Sequence, residues 1–166
     1  AKTYATVLVD TGGSANLAIT RVLSRTHLVI IPMNTSQMDA EQAARAVQLL
    51  QKDSAMFTRK IEFRLVFSRT SAGFQNATQK ALGDELRAGG LPVLTAHLNE
   101  RRAFRDLFSF NRTVTELIQG LTDVKAGHES EGNKAEIRKA QGLIEGYEKA
   151  FANAETVVDE LEGVLQ

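Results

Sequence analysis

Cysteine is absent from the 166 residues, which excludes both a disulfide framework and a thiolate-bound metal. No run approaches the ~18 apolar residues of a membrane-spanning helix, so no membrane partner is expected. The opening residues AKTYATVLVD lack the basic, apolar and small-residue order of a secretion signal. A cytoplasmic chain is therefore expected, in which the sequons at Asn34, Asn76 and Asn111 are chance matches. The three histidines, His27, His97 and His128, are too scattered for a metal cluster. No Gly-X-Ser-X-Gly elbow frames a nucleophilic serine.

What is present suits one globular domain. Apolar residues make up 43% and charged residues 24%, and a chain of this length buries roughly 70% of the surface its unfolded form exposes. Net charge is zero but uneven. Residues 1–128 carry 16 Lys and Arg against 11 Asp and Glu, a net +5, and residues 129–166 carry 4 against 9, a net −5. Either the basic body faces a polyanion, or the acidic tail lies against the body it neutralises.

Apolar β-branched runs alternate with helical patterns. Tyr4–Val9, His27–Ile31, Ile61–Phe67 and Leu91–Thr95 read as strands, with Pro32 closing the second and Pro92 favouring a start or edge position in the fourth. Between them, a short helix follows Ser14, a second runs from Gln37 to Gln51 with Ala40, Ala43, Ala44, Val47 and Leu50 on one face, and a third spans Ala72–Ala88 before Gly89-Gly90. The expected class is α/β: a mainly parallel sheet with helices on both faces, plus a long C-terminal helix. The domain plan is a core at 1–126, a polar linker at 127–133 (GHESEGN) and an amphipathic helix at 134–166.

The first strand runs into Asp10-Thr11-Gly12-Gly13. Asp-Thr-Gly also occurs in aspartic proteases, but those are all-β, and no second Asp-Thr-Gly completes a dyad here. In an open parallel sheet, a strand-end acid points into the ligand crevice, and two glycines let backbone N–H groups approach an anion. A turn with an N-capping acid is the plainer alternative.

The ordered series Asp10-Thr11-Gly12-Gly13, then Thr26-His27-Leu28-Val29-Ile30-Ile31-Pro32, then Ser36-Gln37-Met38-Asp39 resembles the ParA/MinD-type partition ATPases, from about Val7 to Leu121. The resemblance implies a P-loop NTPase fold with its first strand missing. It makes Asp10 the Walker B acid, holding magnesium through water, and Thr11, Gly12 and Gly13 a segment that senses the γ-phosphate. Ser68, Arg69, His97 and Leu98 would flank the adenine, although the family often has Asn near Ser68 and Arg69. ATP and magnesium are the implied cofactors. The implied activity is a nucleotide-dependent dimer that binds DNA non-specifically in DNA segregation or transfer, stimulated by a centromere-binding partner protein.

A phosphate cradle requires a glycine-rich loop with Lys and Ser/Thr. Lys2-Thr3 is the single Lys-[Ser/Thr] pair and no glycine precedes it. The chain is thus expected to be either a piece of a longer ATPase or a relative without nucleotide, and to bind neither cofactor tightly alone. A non-enzymatic adaptor using the acidic tail helix is the alternative function.

Glu100 to Phe108 places Phe104, Leu107 and Phe108 on one helical face, expected to pack on the sheet. Arg101, Arg102 and Arg105 fall opposite, with Arg112 beyond. Such a ridge either contacts DNA phosphates without reading sequence or is a solvated face paired with Glu100 and Asp106. In the tail, Ile137, Ala140, Ile144, Tyr147, Phe151, Ala154, Val158, Leu161 and Leu165 recur at spacings of three and four, the a and d positions of heptads, with Leu143, Ala150, Val157 and Val164 at g. A stripe this wide suits packing on a body, and a homo-oligomer is expected where it is left uncovered.

Overall fold

The computed structural model describes residues 6–11, 17–56, 60–73 and 77–165. Its elements in chain order are α1 (Leu17–Leu23), β1 (Leu28–Met33), α2 (Gln37–Met56), β2 (Glu62–Thr70), α3 (Ala77–Ala88), β3 (Leu98–Asn99), α4 (Arg102–Phe110), α5 (Val114–Ser130) and α6 (Lys134–Leu165). Every pairing is parallel: β1 with β2 from Leu28↔Glu62 to Met33↔Phe67, and β2 with β3 at Ser68↔Leu98 and Thr70↔Asn99. Strand order follows the chain, so α2 and α3 are the crossovers that parallel pairing demands. The fold is α/β.

Side chains alternate along β2 and so define two faces. Leu65 and Phe67 join Met33 of β1, Ala43 and Val47 of α2, and Leu82 and Leu86 of α3 in one cluster. Val66 turns the other way, meeting Leu94 and Val157 of α6. Both crossover helices thus cover one face and α6 covers the other. Burying each large side chain here contributes about 1.5–3 kcal/mol. The expected face of α2 is seen, with Ala40, Ala43, Val47 and Leu50 buried.

Helix ends follow local chemistry. Ser36 caps α2, its Oγ accepting from Asp39 N at 3.1 Å. Gly90, at φ 79°, ends α3 as expected, with Leu91 N–H bonded to Leu86 O and Gly90 N–H to Arg87 O, a Schellman closure. Thr113 and Glu116 form a reciprocal capping box on α5.

Four expectations need correction. The strand placed at Tyr4–Val9 is not formed at residues 6–9: Thr6–Thr11 has no regular structure, and Val7, Leu8 and Val9 are 71%, 87% and 55% exposed. Tyr4 lies outside the described residues. A β-prone run becomes a strand only by pairing its N–H and C=O groups with a neighbour, and among the described residues none pairs with it. Second, β1 continues through Pro32 to Met33 instead of closing at the proline. As the edge strand among the described residues, it needs no ladder bond from a Pro32 N–H.

Third, the strand expected at Leu91–Thr95 shrinks to one bridge, Leu65↔Val93, and pairing resumes at β3. The Schellman closure at Leu91 and a tight Val93 N–H to Leu91 O bond of 3.0 Å leave little extended chain. Fourth, α5 runs through Gly127–Ser130, so only 131–133 connects it to α6, with Gly132 at φ 69° making the turn. With so short a connection, α6 folds back on α5 and also touches α4 and β3.

A further cluster joins these helices: Ala103, Leu117, Tyr147 and Ala150, with Phe104 and Leu107 against it. Phe104 and Leu107 therefore pack on α5 and α6 rather than on the sheet, and Phe108 is 88% exposed. In α6 the buried line begins on the expected a and d positions, Ala140, Ile144 and Tyr147, and then moves to g, at Ala150 and Val157. The first half of the helix lies against α4 and α5, and the second across the sheet. The change of partner leaves Phe151, Val158 and Leu165 47%, 49% and 54% exposed.

Candidate functional site at the carboxyl end of the sheet

Parallel strands carry their ligands beyond their carboxyl ends. Here that edge is built from Met33, Ser68–Thr70 and Leu98–Asn99. Ser68 Oγ donates to Met33 O at 3.3 Å, tying β2 to β1. The ladder slips between Ser68 and Thr70, and Arg69 sits at φ 53° in that bulge with its side chain exposed. Asn99 Nδ2 donates to Thr70 Oγ1 at 2.8 Å and so holds β3 to β2 where the ladder ends.

His97 lies just before β3, edge-on to Phe67 with ring centroids 5.5 Å apart. Gln79, a buried polar residue of α3, places Nε2 2.6 Å from His97 Nδ1. With Gln79 donating, Nδ1 is the acceptor and the ring proton sits on Nε2. Burial lowers the imidazole pKa first and the Arg87 charge second, with Glu160 pulling the other way. The ring is therefore held neutral. Between α3 and this loop lies a groove of about 320 Å³ whose lining includes Phe67, Gln79, Lys80, Arg87 and His97.

The outer side of the loop is held by α6. Glu160 accepts from Thr95 N at 2.8 Å and Ala96 N at 2.7 Å, one through each carboxylate oxygen. Asn153 donates to His97 O and accepts from Asn99 N, both at 2.8 Å. One carboxamide thereby makes the two bonds that a parallel neighbour would make around Leu98, closing the edge of β3. Gln79, Asn99, Asn153 and Glu160 were not among the expected site residues. A heptad reading assigns Asn153 and Glu160 to the outer c position. The legible signal is their seven-residue spacing in step with Ala150 and Val157.

The structure thus brings Ser68, Arg69, His97 and Leu98 to one edge, with Ser68 and Leu98 direct ladder partners. Asp10 and Thr11 instead lie on the exposed segment without regular structure, so Asp10 does not end a strand. Gly12 and Gly13 lie outside the described residues. Among the described residues no three His, Asp or Glu side chains gather to hold a metal. Magnesium needs few carboxylates when phosphates complete its shell, but no described loop offers a lysine-bearing amide cradle for them. These residues alone do not fit a complete magnesium–triphosphate site.

The arginines separate into two groups. Arg101 is the N-cap residue of α4, half-buried, with its Nε enclosed and without a hydrogen-bond partner. Arg102, Arg105 and Arg112 are exposed. Arg102 pairs with Asp106 at 3.0 Å and Arg105 with Glu100 at 3.1 Å, the pairing expected of a solvated face. The Arg105–Glu100 pair is exposed on both sides and weak enough to exchange for phosphate, whereas the largely covered Asp106 also holds the Tyr147 hydroxyl. No helix among the described residues is long and apolar enough to cross a membrane.

No family model matches the chain. It is 31% identical over 106 residues to Protein ParA of Rhizobium radiobacter, covering 64% of this chain and 48% of that protein. The chain spans about half the length of this curated relative. A ParA-like relationship is supported, together with the parallel α/β sheet it would require.

Proposed function

We propose that this chain is the sheet-bearing part of a ParA-like partition protein, contributing the base-side edge and a DNA-facing surface of a nucleotide-dependent assembly. The reading is carried by the 31% identity over 106 residues to Protein ParA. It is supported by the clustering of Ser68, Arg69, His97 and Leu98 at the carboxyl edge of a parallel sheet. In this reading the neutral His97 ring and the Leu98 backbone bound the base, with α6 fixing their loop through Asn153 and Glu160. Asp10 supplies a carboxylate toward a magnesium ion, and Thr11, Gly12 and Gly13 accompany it. The phosphate cradle comes from residues other than those described, and a centromere-binding protein is the implied partner.

The exposed arginines Arg102, Arg105 and Arg112, with half-buried Arg101 behind them, form the DNA-facing surface. Phosphate contacts of this kind predict binding to any duplex, weakening steeply with salt. Replacing Arg102 and Arg105 by Glu should lower affinity about tenfold or more for every duplex tested, measured by fluorescence anisotropy at two salt concentrations. An unchanged affinity in that variant would return the ridge to a solvated helix face and remove DNA from the proposal.

A further inference from the structure

The second half of α6 carries a regular exposed pattern. Glu148, Phe151, Glu155, Val158, Glu162 and Leu165 recur at spacings of three and four, and all six are exposed. An apolar row therefore runs beside an acidic row on the side turned away from the body. Two copies of this face do not suit each other. In an antiparallel pairing the acidic rows would meet, and in a parallel one each would face the apolar g row, which the sheet already covers at Val157.

The complementary chemistry lies elsewhere on the same chain. The C-terminal end of α4 exposes Phe108 at 88% and Phe110 at 58%, between the exposed guanidinium groups of Arg105 and Arg112. Asn111, in the left-handed conformation with φ 49°, ends the helix there and fixes this corner. The two patches are neighbours in the fold, because the Tyr147 hydroxyl meets Asp106 at 2.6 Å, with Phe151 about one turn further along α6 and Phe108 about half a turn further along α4. A surface that contains both halves of a complementary pair is self-complementary under a two-fold axis.

We infer that a second copy of this chain covers the α6 stripe. The Phe108–Phe110 corner of one protomer seats on Phe151, Val158 and Leu165 of the other, Arg105 and Arg112 face Glu155 and Glu162, and the contact is made twice. Aromatic and arginine side chains are the residues that most often anchor interfaces. The contact requires no nucleotide and stands apart from the carboxyl edge of the sheet, and because it uses Arg105 and Arg112 of the DNA-facing surface, self-association and duplex binding compete.

Sedimentation equilibrium on the whole chain tests it, using two variants, Arg105→Glu with Arg112→Glu and Glu155→Lys with Glu162→Lys. Each variant alone places like charges across both copies of the contact and should weaken the dimer about tenfold or more. An equimolar mixture pairs Glu corners with Lys stripes and native Arg corners with native Glu stripes. Association should return to within about threefold of the native value. Circular dichroism of each variant alone checks folding, and restored association in the mixture itself requires folded partners. A native chain that stays monomeric at about 100 μM overturns the inference, as does a mixture no stronger than its components. Loss of duplex binding with unchanged self-association would instead assign Arg105 and Arg112 to DNA alone, which also overturns it.

Discussion

The Tyr147 hydroxyl donates to Asp106 Oδ2 at 2.6 Å inside the α4–α5–α6 cluster, and Arg102 Nε meets the same carboxylate oxygen at 3.0 Å. The hydroxyl, more than Arg102, holds the Asp106 carboxyl below its ordinary range, while burial and then Asp106 push the Tyr147 pKa to about 12. Tyr147→Phe keeps the ring but leaves a mostly covered carboxylate without its neutral donor, a loss of about 1–2 kcal/mol. A lower urea midpoint with unchanged slope is the expected outcome, and an unmoved midpoint would mean that solvent replaces the bond. His97 carries a separate pH effect. Its folded pKa lies below the unfolded value, so in that window the unfolded chain binds more protons. The resulting stability is present above about pH 6.5 and is lost as pH falls toward the folded pKa. His97→Asn offers an acceptor to Gln79 and does not titrate, so its urea midpoint should fall less between pH 7 and pH 5 than that of the native chain. Asp106 and Glu62 have lowered values too, but their contribution is lost only at lower pH, as carboxylates protonate. An equal fall in both proteins would show that His97 does not set the slope.

α6 shows what elements reveal in advance and what they hide. Its 32 residues, about 48 Å, match the heptad reading from Lys134 to Leu165, because a repeat of three and four sustained this long has no other regular solution. The α2 face and the Gly90 stop were legible for the same local reason. Partner choice was not. Tyr4–Val9 and Leu91–Thr95 have strand composition, yet pairing is decided by what lies alongside, which no window of the sequence contains. The candidate site was legible only in placement: Ser68, Arg69, His97 and Leu98 lie at one edge of the sheet, but the polar residues that hold this loop come from α3 and α6, up to 65 positions away. Gly142 and Gly146 interrupt α6, and a Cβ at either meets nothing within 4 Å. Each glycine costs a helix interior up to about 1 kcal/mol relative to alanine. Gly142→Ala with Gly146→Ala should therefore raise stability by roughly 1–2 kcal/mol, seen as a higher melting temperature. No rise would mean that the backbone at these positions departs from helical ideality in solution.

At the scale of the whole molecule, α6 is a structural member as much as a tail. It fills the second face of the sheet through Val157 and completes the helical cluster through Tyr147 and Ala150, so removing it would strip both. Of the acids of α6, Glu160 turns inward to the Thr95 and Ala96 backbone, while Glu148, Glu155 and Glu162 stay exposed. The nucleotide question belongs to this scale, because a triphosphate site needs several parts of a fold at once. The carboxyl edge of the sheet offers surfaces for a base, but most of the binding free energy of a triphosphate comes from the amide cradle and lysine around its β- and γ-phosphates. Lys2-Thr3 is the one Lys-[Ser/Thr] pair in the sequence and has no glycine before it. Isothermal titration of this chain with Mg-ATP should accordingly show no binding tighter than about 100 μM, with no phosphate release above background. Supplying the missing cradle on a second polypeptide that carries a glycine-rich lysine loop should restore affinity by tenfold or more, and Asp10→Ala should reduce that gain. Micromolar affinity in the chain alone, abolished by Asp10→Ala, would mean that the exposed segment around Asp10 builds a phosphate site of a different kind.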